Sequence, residues 1–139
     1  MTDGYRAPLR EGKSKHWIGV DLDGTLARWD ADTEEEAKVA IETIGEPIAP
    51  MVELVKYWRE HGQEVRIFTA RVAYERPFGS PNKQSKMIRE WSRKHLGEEL
   101  PVTCVKDPNM IALYDDRAVR VMHNTGLLYM EINGAIAVV

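Results

Sequence analysis

The sequence predicts an α/β fold built on a mostly parallel central sheet, and three observations predict it. Short runs rich in β-branched and aromatic residues (17–20, 65–69, 101–105 and 110–114) alternate with segments whose apolar residues recur at helical spacing. That alternation is the pattern of strand–helix–strand units. Near the end of the chain, Asn133 and Gly134 stand between two apolar segments, which is the strongest short signal for a β-hairpin. At 139 residues the chain is expected to fold as one domain with one core, over 16–139, behind a flexible polar tail at 1–15.

Each element follows in order. Residues 17–20 form a short apolar strand that stops at Asp21. Residues 27–46 are acidic and partly helical, with Ala37, Val39, Ala40, Ile41 and Ile44 as apolar positions; the segment is too short for a separate cap and reads as a flap or small insert. Residues 50–61 form a helix: Met51, Leu54, Val55 and Trp58 share one face, Pro50 suits its first turn and Gly62 its stop. The strand 65–69 ends at Thr69, and a loop with Pro77, Gly79 and Pro81 follows over 72–82. A second helix runs from Lys83 to Leu96, with Met87, Ile88, Trp91 and Leu96 as its stripe and Gly97 as its stop. A strand over 101–105 precedes Lys106, another over 110–114 precedes Asp115 and Asp116, and residues 117–122 read as a further short strand. The hairpin arms are 127–132 and 135–139. The second arm is apolar on both faces and needs cover, either from the chain, which is the favoured reading, or from a second copy in a homodimer.

Composition narrows the class. With 43% hydrophobic and 29% charged residues the chain resembles an ordinary soluble protein, and no apolar run approaches the roughly 18 residues of a membrane span. Residues 1–15 contain no apolar signal core, and the single cysteine, Cys104, rules out an internal disulfide; both favour the cytoplasm and no membrane partner. The net charge of −3 implies no strong affinity for nucleic acid, but its distribution is uneven. Residues 27–46 set seven acids against Arg28 and Lys38, whereas residues 71–94 set seven bases against Glu75 and Glu90. The basic segment suits steering of a phosphorylated substrate or, equally, a solvated helix face.

The four strands carry the chemistry. They end at or just before Asp21, Thr69, Lys106 and Asp115, and in an open parallel sheet all strand C-termini lie along one edge, where ligands bind. Two carboxylates two residues apart, Asp21 and Asp23, repel each other at a strand end unless a cation or hydrogen-bond donors compensate. Magnesium, with its preference for oxygen ligands, would supply the cation. Gly24 permits a sharp turn that exposes backbone N–H groups to an anion.

Asp21, Asp23, Gly24 and Thr25 resemble the first motif of the haloacid dehalogenase (HAD) superfamily, Asp-x-Asp-Gly-Thr. Thr69 is similar to the second motif, Lys106 to the third, and the pair Asp115 and Asp116 to the fourth, so the resemblance spans residues 16–122. The short gap from Lys106 to Asp115 is similar to that of the 5'-nucleotidase (deoxyribonucleotidase) branch, and so is the helix with Lys86 and Trp91. The first motif, with Arg71 two residues after Thr69, is similar to the polynucleotide 3'-phosphatase branch. The resemblance implies a Rossmann-like three-layer sandwich with a minimal cap, and a magnesium-dependent phosphomonoester hydrolase. Asp21 would be the nucleophile that forms an aspartyl-phosphate, and Asp23 the general acid/base. Magnesium would be held by Asp21, the Asp23 main-chain carbonyl and Asp115, with Asp116 binding through water or orienting Lys106. Thr69, with main-chain groups near Leu22, Asp23 and Ala70, would hold phosphoryl oxygens, and Lys106 would neutralise charge. The expected substrate is a nucleotide or a nucleic-acid terminal phosphate, with a sugar phosphate next.

Arg71 is the first choice for direct substrate contact, ahead of Arg117 and Arg76, because arginine recognises phosphate bidentately. His16, His61, His95 and His123 show no ligand spacing, and there is no Ser/His/Asp triad, zinc signature or P-loop. Two other readings use the same residues: a regulatory module that binds phosphate or metal without turnover, and a phosphotransferase with an acceptor other than water. The intact acid pair argues against the first, since binding alone does not need Asp23.

Overall fold

Residues 17–20 are buried on both faces, as a central strand of a covered parallel sheet must be. In the computed structural model, which describes residues 16–73, 80–132 and 135–138, they form β1 (Trp17–Val20). Three more strands, β2 (Glu64–Phe68), β3 (Val102–Thr103) and β4 (Met110–Tyr114), complete a sheet in the order β3-β2-β1-β4. All of its pairings are parallel, with Ile18 beside Val65 on one side and beside Ala112 on the other. The α/β fold read from the sequence is therefore present.

The chain divides by contact into two compact units. The first ends at Asp116 and holds the sheet and three α-helices; the second holds the remainder of the C-terminal segment.

Within the first unit, helix α1 (Glu34–Ala40) is short and buries none of its residues. It is set by a capping box, in which the Thr33 side chain accepts from the Glu36 N–H and the Glu36 carboxylate accepts from the Thr33 N–H. Helix α2 (Ala49–Glu60) buries Val52, Val55 and Trp58, and α3 (Pro81–Leu96) buries Ile88, Trp91 and Leu96. These side chains meet Ile18, Val20, Val65 and Ile67 in one core. Side chains alternate across a strand, so Trp17 and Phe68 fall on the opposite face; their rings stack 6.4 Å apart, with the Arg66 guanidinium 4.5 Å from the Trp17 centroid.

Both long helices pack on the first face, and among the described residues of this unit no helix packs on the second. The reason is local: the connection from β3 to β4, residues 104–109, contains no helix, so that crossing covers nothing.

β3 is also shorter than the expected 101–105. It pairs with β2 only through Val102 and Thr103, after which the Thr103 hydroxyl accepts from the Val105 N–H and turns the chain away. Lys106 consequently lies three residues beyond a strand end. β2 likewise stops at Phe68, one residue before Thr69.

The second unit contains β5 (Tyr129–Ile132) and β6 (Ala135–Val138), antiparallel, with Ile132 opposite Ala135. That register is the expected hairpin; its turn residues, Asn133 and Gly134, lie outside the described residues. Residues 117–122 make no strand. One bridge joins Val121 to Leu128 across a turn with Asn124 and Gly126 at positive φ. The expected tail at 1–15, most of the 72–82 loop and Arg76 are likewise outside the described residues. Among those described, no helix is long and apolar enough to cross a membrane.

Helix α3 supplies a clean test of local backbone strain. Gly97 ends it at φ +84, and an added Cβ would meet nothing within 4 Å. Gly97→Ala is therefore expected to cost only the left-handed strain, about 1 kcal/mol, seen as a fall of a few degrees in a thermal melt.

Candidate active site

The strand order places β1 between β2 and β4, so the chain leaves β1 in one direction and returns on its other side as β4. In an open parallel sheet such a reversal leaves a crevice beyond the carboxyl ends of the two strands. Asp21 follows β1, and Asp115 and Asp116 follow β4. The Asp21 N–H donates to the Tyr114 carbonyl at 2.9 Å, which locks the two strand ends together. One carboxylate oxygen from each of Asp21, Asp115 and Asp116 lies within 4.8 Å of the others.

The loop after Asp21 is built to bring Asp116 close. Leu22 and Leu26 are fully buried and anchor it, while the Leu22 carbonyl accepts from the N–H groups of Thr25, Leu26 and Ala27. The Thr25 hydroxyl accepts from the Asp116 N–H at 3.1 Å and donates to Asp116 Oδ1 at 3.2 Å. Gly24 has φ +88, and a Cβ there would stand 2.6 Å from Asp116 Oδ2. Only glycine satisfies both the backbone angle and the approach.

The three members of this cluster are all acids. The Asp21 carboxyl is pushed up from 3.8 to about 7, first by burial, then by its hydrogen bond with the Asp116 carboxyl and the charge of Asp115; the Leu22 N–H opposes the shift. An all-oxygen set in which Asp115 and Asp116 raise the proton affinity of Asp21 suits a hard divalent cation such as magnesium. Asp21, Asp115 and Asp116 are therefore the residues that fit such an ion.

Asp23 is engaged elsewhere. Its two oxygens accept from Arg71 Nε at 2.8 Å and Nη2 at 2.9 Å. Arg71 is 1% exposed, and its Nη1 donates to the Ile41 carbonyl and to Gln84 Oε1. The sequence reading made Arg71 a substrate contact. Here its guanidinium makes four hydrogen bonds to protein acceptors, because a buried cation needs pairing more than it needs a ligand.

Thr69 is buried, and its hydroxyl caps the 3-10 turn Ala70–Val72 by accepting from the Arg71 N–H, which leaves its own proton to donate. Ala70 is exposed. Lys106 is exposed and makes no ion pair among the described residues. Arg117 is exposed and belongs to the second unit. Thus the three aspartates come together, and Asp23 and Thr69 come together around Arg71. Sequence reasoning missed Gln84, Trp29 and the tethering role of Thr25; only Thr25 stood within a motif.

Compared with protein-family models, with curated proteins and with solved structures, the chain matches none.

Proposed function

We propose that the chain is a magnesium-dependent phosphomonoester hydrolase of the HAD type, with a reduced, Rossmann-like sheet and almost no cap. The observation that carries this reading is the convergence of Asp21, Asp115 and Asp116 where the strand order reverses, with a second acid, Asp23, two residues past the first. Asp21, Asp115 and Asp116 would hold magnesium, which when bound offsets the repulsion between a phosphate and the carboxylates around it.

Asp21 attacks phosphorus; a bond forms from its carboxylate oxygen, and the bond from phosphorus to the leaving alcohol breaks. Asp23 gives its proton to that alcohol and then takes one from the water that hydrolyses the aspartyl-phosphate. Thr69 has a hydroxyl proton to donate to a phosphoryl oxygen. Lys106, solvent-exposed and beyond the strand end, supplies charge by reaching towards bound phosphate.

A large substrate is favoured. The 27–46 segment forms only the seven-residue α1 with no buried side chain, so nothing there resembles a closing cap. A nucleotide or a nucleic-acid terminal phosphate is the leading choice, and half-buried Trp29 beside Arg71 supplies a nearby aromatic ring.

Phosphate release from an aryl phosphate with and without magnesium tests the reading, followed by a panel of nucleotides, sugar phosphates and 3'- and 5'-phosphorylated oligonucleotides. Magnesium-dependent release supports it; no release from any substrate overturns it. Magnesium affinity should also depend on pH. Below about 7 Asp21 carries a proton that the ion must displace, so affinity should fall about tenfold for each pH unit. Calorimetric titration in two buffers of different ionisation heat checks this by counting released protons.

A further inference from the structure

We propose that Arg71 is the positioning residue for Asp23, and that Gln84 and the end of α1 set Arg71 in turn. This rests on the reading of Asp23 as the acid/base. The guanidinium is planar, and its paired contacts through Nε and Nη2 fix the plane of the Asp23 carboxylate as a single contact would not. They occupy one lone pair on each oxygen and leave the others for proton transfer.

The other side of the guanidinium is equally constrained. Nη1 donates to Gln84 Oε1 at 3.1 Å and to the Ile41 carbonyl at 3.3 Å, while Gln84 Nε2 donates to the same carbonyl at 2.8 Å. Gln84 is 4% exposed, so these three partners form a closed triangle away from water. The Trp29 ring lies 5.6 Å from the guanidinium carbon, and Thr69 holds the Arg71 main chain. Four separate stretches of sequence thus converge on the orientation of one carboxylate. A proton-transfer group loses its effect when displaced by a fraction of an ångström, which gives this convergence a functional consequence.

The two half-reactions separate this role from phosphate binding and from mere packing. An aryl phosphate with a good leaving group departs without a proton, so formation of the aspartyl-phosphate does not need Asp23; its hydrolysis does. An alkyl phosphate needs Asp23 in both steps. For Arg71→Lys and Arg71→Met in the full-length protein with magnesium, the pre-steady-state burst of aryl alcohol should keep its rate within about tenfold of wild type. Steady-state turnover of the aryl phosphate, and all turnover of an alkyl phosphate, should fall about 10²- to 10³-fold, the usual worth of acid/base catalysis. KM for the aryl phosphate should fall along with its turnover, because hydrolysis of the aspartyl-phosphate becomes limiting, whereas KM for the alkyl phosphate, both of whose steps slow together, should change little.

Gln84→Leu keeps the Arg71–Asp23 pair and should show the same pattern at about tenfold, the partial loss expected of a loosened catalytic group. That milder variant decides the matter if the Arg71 variants do not fold. A burst lost in step with turnover, or a KM raised tenfold or more with kcat retained, overturns the positioning role; the second result would make Arg71 a direct phosphate ligand. Wild-type protein that hydrolyses neither substrate overturns the phosphatase reading itself, whereas an active wild type with either variant result above overturns only this inference.

Discussion

Asp21→Asn is expected to lower phosphate release by about four orders of magnitude or more, the loss seen when a nucleophile is removed, and at the same time to make the metal-free protein harder to melt at neutral pH and above. Both effects have one cause. Asp21 lies half-buried among Asp115 and Asp116 and keeps a proton up to about pH 7, while the unfolded chain releases that proton near 3.8. Between those values folding takes up a proton, so this group makes stability fall as pH rises through the window, and the loss persists above it. Asparagine keeps the shape and removes the charge. The variant's melting temperature should therefore exceed that of wild type by a few degrees at pH 8 without metal, and the difference should vanish near pH 4. Magnesium should stabilise wild type and not the variant. Thermal melts at the two pH values, with and without magnesium, check this. A variant less stable than wild type at pH 8 would mean that the three carboxylates do not repel as their proximity requires.

Gly24→Ala is expected to damage stability and activity together. Its φ of +88 is strained for any side chain, and the new methyl would stand 2.6 Å from Asp116 Oδ2 and 2.9 Å from Asp116 Cγ. The Asp116 side chain has to swing away, breaking the bond in which the Thr25 hydroxyl donates to it. About 1–3 kcal/mol of stability should be lost, with a fall of tenfold or more in magnesium affinity. Adding Asp116→Ala clears the space. In denaturant melts the double variant should then recover part of the lost stability, a non-additivity that marks direct contact. Additive losses would place the whole cost in the backbone.

Much of the first unit was legible in the chain because its signals are local. Periodicity located α2 and α3 to within two residues, with Pro50 as a start signal and Gly62 and Gly97 as stops; Ser80 and Pro81, read as loop, are instead the cap and first residue of α3. β4 was legible because five apolar residues end in two acids. The same reasoning overextended β3, because an apolar run does not reveal that only two of its residues find a neighbouring strand. It also expected a third layer, to which the connection 104–109, without a helix, contributes nothing.

For the candidate site the division is similar. Asp21, Asp115 and Asp116 were readable as residues at strand ends, since a strand end is a local feature and a parallel sheet gathers such ends on one edge. The partner of Asp23 was not readable. Arg71 lies 48 residues away and looks in sequence like a cation awaiting phosphate. Composition and spacing decide which residues stand at the edge of a sheet; they carry nothing about which of those residues are sealed from water. Burial is a property of the packed whole, and it is packing beside Ile41 and Gln84 that buries Arg71 and gives its guanidinium four protein acceptors, two of them on Asp23.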